Sequence, residues 1–149
     1  MLTGGFEGVV DAKSRVVLPS KLRNELGEKF HLMMGFDTYV AIYPEENFNE
    51  MLSQLMQMKK SSDEYLVLGR YLLGNAYDGE LDTAGRVLIP AVLKKFARLD
   101  KEVHIMGVGD HIEIKAAVLS ERIQHMIKEG NLCIRIHNTR TVKVNLYLY

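Results

Sequence analysis

Arg15 and Arg86 each stand four residues after an aspartate, Asp11 or Asp82, and four residues before a proline, Pro19 or Pro90. An arginine guanidinium is always charged, and its planar fork matches phosphate oxygens or the O6 and N7 edge of guanine. An aspartate at the head of a turn accepts backbone amides two residues on. Its carboxylate can also pair with an arginine four positions later. Two chemistries follow: an ion pair that locks its own turn, or an arginine presented to a polyanion. They are compatible, since Asp11 and Asp82 could orient the arginines that make the contact.

Catalytic chemistry finds no comparable support. The five histidines, His31, His104, His111, His125 and His137, have no metal-ligand spacing, and Cys133 with His137 is no nucleophile arrangement by itself. Gly107 and Gly109 form a Gly-x-Gly pair, with neither a phosphate-loop lysine nor Rossmann spacing after it. The expectation is therefore a non-enzyme without metal or cofactor, whose histidines pack or face solvent.

Charge is balanced overall, 19 basic residues against 19 acidic, so no global field attracts a polyanion and any such binding must come from a local patch. The local distribution supplies one. Lys13, Arg15, Lys21, Arg23 and Lys29 outnumber the acids of the first motif region, and Arg86, Lys94, Lys95, Arg98 and Lys101 outnumber those of the second. Acids concentrate between the two regions, at Glu45, Glu46, Glu50, Asp63 and Glu64. We expect Arg15 and Arg86 to read DNA, with Lys13, Lys21, Arg23 and Lys94 beside them; for the helix-borne cations a merely solvated face is the competing reading.

The elements that must position these side chains are written twice. Asp11-Ala-Lys-Ser-Arg15-Val-Val-Leu-Pro19 returns as Asp82-Thr-Ala-Gly-Arg86-Val-Leu-Ile-Pro90. Phe6-Glu7-Gly8 precedes the first as Tyr77-Asp78-Gly79 precedes the second, and Phe30-His31-Leu32-Met33 follows as Val103-His104-Ile105-Met106 does. Each copy reads as strand, turn, strand and short helix. The aliphatic triplet after each arginine suits a strand buried on both faces, and the proline ends it and fits the first position of a helix. Gly85 takes a positive φ without strain, whereas Ser14 at the equivalent place does so less easily.

Repeat one (residues 1–44) then contains a helix from Ser20 to Leu26 closed by Gly27 and a hairpin through Gly35-Phe-Asp-Thr. A helical connector (45–74) follows, with Phe48, Met51, Leu52, Leu55 and Met56 at helical spacing and a second helix over Asp63–Leu73. Its methionines suit adaptable core or subunit-interface packing. Repeat two (75–115) has a longer helix, Pro90 to Arg98, and a hairpin turning at Gly107-Val-Gly-Asp110. The remainder (116–149) reads as a helix over Ala116–Glu129, then a hairpin in which Leu132, Ile134 and Ile136 alternate with polar residues, as do Val142, Val144, Leu146 and Leu148. One core built from both repeats suits a single domain of 149 residues. With one cysteine, no apolar run of membrane length and no signal-peptide pattern, the expected compartment is the cytoplasm.

Met1-Leu2-Thr3-Gly4, the two Asp-x-x-x-Arg strings with their prolines, Tyr43-Pro44 and Gly107-Val-Gly-Asp-His-Ile-Glu-Ile114 together resemble the MraZ family of bacterial transcriptional regulators, which carry tandem AbrB-like repeats. The resemblance spans about Met1 to Ile114. It implies an α+β fold with a double-split β-barrel-like core, a homo-oligomeric ring, and binding of double-stranded DNA at promoter direct repeats upstream of a division and cell-wall operon, hence a cytoplasmic, nucleoid-associated protein. It carries the DNA-contacting role onto Arg15 and Arg86. Ser14 and Lys115 depart from the family pattern, as does the stretch from Asn131 to Tyr149. A ring-forming scaffold that ignores DNA would share every one of these fold features.

Overall fold

The structure, a computed structural model, describes residues 1–118, 133–136 and 140–143. One compact unit, Met1–Ala116, holds β1 (Leu2–Val9), β2 (Arg15–Val17), α1 (Ser20–Leu26), β3 (Phe30–Met34), β4 (Val40–Pro44), α2 (Glu45–Met56), α3 (Asp63–Leu73), β5 (Tyr77–Gly79), β6 (Arg86–Leu88), α4 (Ala91–Phe96), β7 (Glu102–Gly109) and β8 (Ile112–Ala116). It is an α+β fold in which these strands pair antiparallel. In the second unit, Ala117–Tyr149, β9 (Cys133–Ile136) pairs antiparallel with β10 (Arg140–Lys143), over part of the expected hairpin. Beyond its start at Ala117 and Val118, the helix expected up to Glu129 lies outside the described residues, as does the stretch from residue 144 to the end.

The repeats interleave. The six-stranded sheet has the order β1-β7-β8-β4-β3-β5, so the first strand of repeat one pairs with the third strand of repeat two and the reverse. Gly8 lies opposite Val103, and Gly79 opposite Phe30. Both glycines are required by this exchange: a Cβ at Gly79 would run into the side chains of Phe30 and Leu32, and one at Gly8 into that of Ile105. The repeated glycine is thus where one repeat's strand crosses under the other's side chains. The motif strands β2 and β6 pair with each other as a separate two-stranded ribbon, centred on Val16 opposite Val87. Bridges Val10–Val16 and Leu81–Val87 tie that ribbon to the chain leaving β1 and β5.

One core lies between sheet and ribbon, where Val16, Leu18, Leu22, Phe30, Ile42, Val87, Ile89, Leu93, Ile105 and Ile114 are buried. Fully burying one such side chain contributes about 1.5–3 kcal/mol. Leu22 of α1 and Leu93 of α4 therefore pin these short helices beside the ribbon. A second cluster joins Met33, Tyr39, Ala41 and Tyr43 to Phe48 of α2 and Leu72 of α3. Alternate residues of β3 and β4 thus serve two different layers, which is why β4 is buried along nearly its whole length. Two of the histidines pack as expected: His31 stacks on Phe48 and pairs with Asp78, and His111 stacks on Tyr43.

Several expectations are corrected. The aliphatic triplets are not buried on both faces, because the ribbon covers the core with one side only, leaving Val17 54% and Leu88 59% exposed. Pro19, Pro44 and Pro90 take the N-cap position rather than the first helical one. The helix of repeat two is the shorter, since Arg98 adopts a φ of 53° and turns the chain out of it. Strand β7 continues through Gly107-Val-Gly109 because β1 pairs with it along its full length, and the turn falls at Asp110 and His111. The connector methionines need no correction: Met51 packs against the second cluster, and Met56 and Met58 are exposed, where subunit packing is the other expected role.

Candidate nucleic-acid interface

The two motif turns are built alike. In the first, the N–H of Ser14 donates to the Asp11 carbonyl and that of Asp11 to the Arg15 carbonyl, at 3.0 and 2.9 Å. Asp11 Oδ1 accepts from the backbone N–H groups of Lys13 and Arg15, both at 2.9 Å, while Oδ2 accepts Arg15 Nε–H at 2.8 Å. In the second turn Asp82 accepts from Ala84, Arg86 and Arg86 Nε–H at 3.0, 2.8 and 2.6 Å. Ser14 reaches the geometry of Gly85 despite its side chain, with φ of 60° against 74°. The departure at Ser14 therefore leaves the turn unchanged and places its strain on one residue.

Each carboxylate is held below its ordinary value of 3.8. The backbone N–H of Arg15 is the main cause at Asp11 and that of Arg86 at Asp82; desolvation opposes it, and the remaining turn amides and the guanidinium reinforce it. Both aspartates are thus ionised near neutrality. Both turn locks are real, and they consume only Nε. Among the described residues the terminal Nη groups of Arg15 and Arg86 have no acceptor, so each guanidinium is clasped from behind with its end-on fork free.

The ribbon sets the two forks on one face. Val16 and Val87 point inward and are fully buried, so their neighbours point outward: Arg15 opposite Leu88, and Val17 opposite Arg86. Each turn is also braced by the opposite repeat. The N–H of Ile89 donates to the Ser14 carbonyl and that of Leu18 to the Gly85 carbonyl, at 2.8 and 3.0 Å.

Helix cations cross over in the same way. Lys94 of α4 donates to Ser14 Oγ at 3.2 Å, and Arg23 of α1 lies against Gly85, where a Cβ would overlap its guanidinium. Arg23 Nε is buried there without a partner among the described residues. Lys21 donates to Thr3 Oγ1 at 3.3 Å and is exposed, as is Lys13. The structure therefore gathers Lys13, Arg15 and Lys94 about the first turn and Arg86 with Arg23 about the second. The equal spacing of Arg23 and Lys94 within their repeats was visible in the sequence, but their exchange across repeats was not. Val17 and Leu88, in the same outward row as the arginines, were missed because their aliphatic type signalled core.

Comparison with known proteins agrees with this doubling. A family model described as "MraZ protein, putative antitoxin-like" matches residues 1–68 and 72–132, one stretch around each motif. The chain belongs to the MraZ family. Relatives named "Transcriptional regulator MraZ" include those of Thermoanaerobacter sp. (strain X514), 38% identical, and Lachnoclostridium phytofermentans, 39% identical, each over 114 residues. That of Caldicellulosiruptor saccharolyticus is 41% identical over 114 residues. In each case the match covers 76% of this chain and 80% of the relative. Among the described residues no group of His, Cys, Asp and Glu is arranged to hold a metal ion, and no helix is long and apolar enough to cross a membrane.

Proposed function

We propose that this MraZ protein is a sequence-specific DNA-binding transcriptional regulator and that the outer face of the β2–β6 ribbon is its reading surface. The observation that carries the proposal is the pair of Asp-clasped guanidinium forks, Arg15 and Arg86, set on one face of a two-stranded antiparallel ribbon. A ribbon of that width fits the major groove, and an end-on fork fits guanine O6 and N7. Lys13, Arg23 and Lys94 about the two turns, and Lys21 against Thr3 of β1, serve as phosphate contacts that fix the ribbon's position. Asp11 and Asp82 orient the forks.

The targets we infer are promoter direct repeats upstream of a division and cell-wall operon, bound in the cytoplasm at the nucleoid by a homo-oligomeric ring. Exposed Phe36, Met56, Met58, Leu66, Val67 and Leu73 in and around the connector support subunit contacts there. In this reading sheet and ribbon are the two parts of a double-split barrel-like core, supported by the Val10–Val16 and Leu81–Val87 bridges between them.

The test is selection of duplexes from random-sequence DNA, followed by affinity measurement with Arg15→Ala and Arg86→Ala. An enriched repeated motif, lost from either variant by about 1–3 kcal/mol per site without unfolding, is the expected result. Failure to enrich any sequence would overturn the proposal in favour of a ring-forming scaffold.

A further inference from the structure

The outward row of the ribbon alternates two chemistries. Arg15 lies opposite Leu88 and Val17 opposite Arg86, so each guanidinium fork has an aliphatic side chain of the other repeat as its direct cross-strand neighbour. Directly opposed side chains have Cβ atoms roughly 5 Å apart, comparable to a step or two along a DNA helix. Val17 and Leu88 are more than half exposed, at 54% and 59%, while the residues beside them on each strand are buried. An exposed aliphatic side chain standing singly needs no explanation. Here aliphatics stand beside cations at both repeat-equivalent positions, on the one surface where two forks are presented together.

In the major groove the thymine C5-methyl is the one apolar group on a base edge, and aliphatic side chains recognise it. Resting on the reading of the ribbon as the DNA-contacting surface, we infer that Val17 and Leu88 are specificity-determining residues that contact thymine methyls. Each thymine lies next to a guanine taken by the neighbouring fork: Leu88 acts beside Arg15, and Val17 beside Arg86. The aliphatic contact also excludes water from the adjacent fork, where a hydrogen bond to guanine is stronger for being dry. Because Val17 and Leu88 differ in reach, the two halves of the ribbon discriminate different positions of the site.

The experiment uses the full chain and the duplex enriched by selection from random DNA. Each thymine of that duplex is replaced in turn by deoxyuridine, which removes only the methyl. The expected loss is about four-fold in affinity at each contacted thymine, the factor given by burying one methyl-sized group. One sensitive position should lose its dependence on the methyl in Leu88→Ala and another in Val17→Ala. The deoxyuridine series on the unaltered protein needs no variant to fold. Unchanged affinity at every deoxyuridine position, or equal losses in the unaltered protein and both variants, would overturn the inference. If Arg15→Ala still weakened binding in that case, the ribbon would remain the DNA-contacting surface, whereas absence of any enriched duplex would remove that surface itself.

Discussion

Gly85→Ala should cost far more than its single methyl suggests, because the position is constrained by both its backbone and a neighbour from the other repeat. With φ at 74°, any Cβ pays a left-handed penalty of about 1 kcal/mol. The methyl would also overlap the guanidinium of Arg23, whose Nε is already buried without a partner among the described residues. Arg23 must swing out, and such overpacking adds about 1–2 kcal/mol. The sum, roughly 2–3 kcal/mol, corresponds to a fall in melting temperature of about 4–12 °C for a chain of this size.

Ser14→Gly is the matched control. It relieves the strain of a φ of 60° but gives up the 3.2 Å hydrogen bond from Lys94 and adds unfolded-state freedom, so it should change stability by less than about 1 kcal/mol. The decisive measurement is a double-mutant cycle by urea denaturation. In an Arg23→Ala background the steric part disappears, and Gly85→Ala should cost only about 1 kcal/mol. Equal costs of Gly85→Ala in the two backgrounds would show that Arg23 does not rest on this turn, and the crosswise bracing would be refuted.

Lys21→Ala should weaken specific and nonspecific DNA alike and reduce the slope of log affinity against log salt by about 1, checked by titration at several salt concentrations. The lowered Asp11 and Asp82 values make a stabilising contribution that is complete above 3.8 and is lost as pH falls through the shifted values. The Asp11→Asn/Asp82→Asn double variant should accordingly lose less stability than the parent in acid, as read from urea midpoints against pH. His111 behaves oppositely: burial pushes its value down, but hydrogen bonds to Glu113 and Asp110 prevail and raise it above 6.5. Its contribution is complete below 6.5 and fades as pH rises through the raised value, so His111→Phe should flatten that limb of the same midpoint curve. Light scattering at micromolar concentration should find a homo-oligomer, and a stable monomer would remove the subunit-contact role of the exposed connector residues.

The local features were legible in the sequence. Asp-x-x-x-Arg specified its turn because carboxylate, amides and guanidinium all lie within five residues. The helices Ser20–Leu26 and Asp63–Leu73 were bounded by their caps and apolar period. The candidate arginines followed from these local signals, and the family from the doubled motif together with its flanking strings. Which repeat each strand serves was not legible. Pairing of Leu2 with Gly109 joins opposite ends of the unit, and periodicity carries no record of a partner so distant. For the same reason Gly107-Val-Gly109 looked like a turn until β1 was laid beside it. Only the tertiary structure turned Val17 and Leu88 outward, because an aliphatic triplet cannot reveal that its ribbon will have a single covered face. It also decided that Arg23 brace the second turn and Lys94 the first, since each helix packs against a motif that begins in the other repeat.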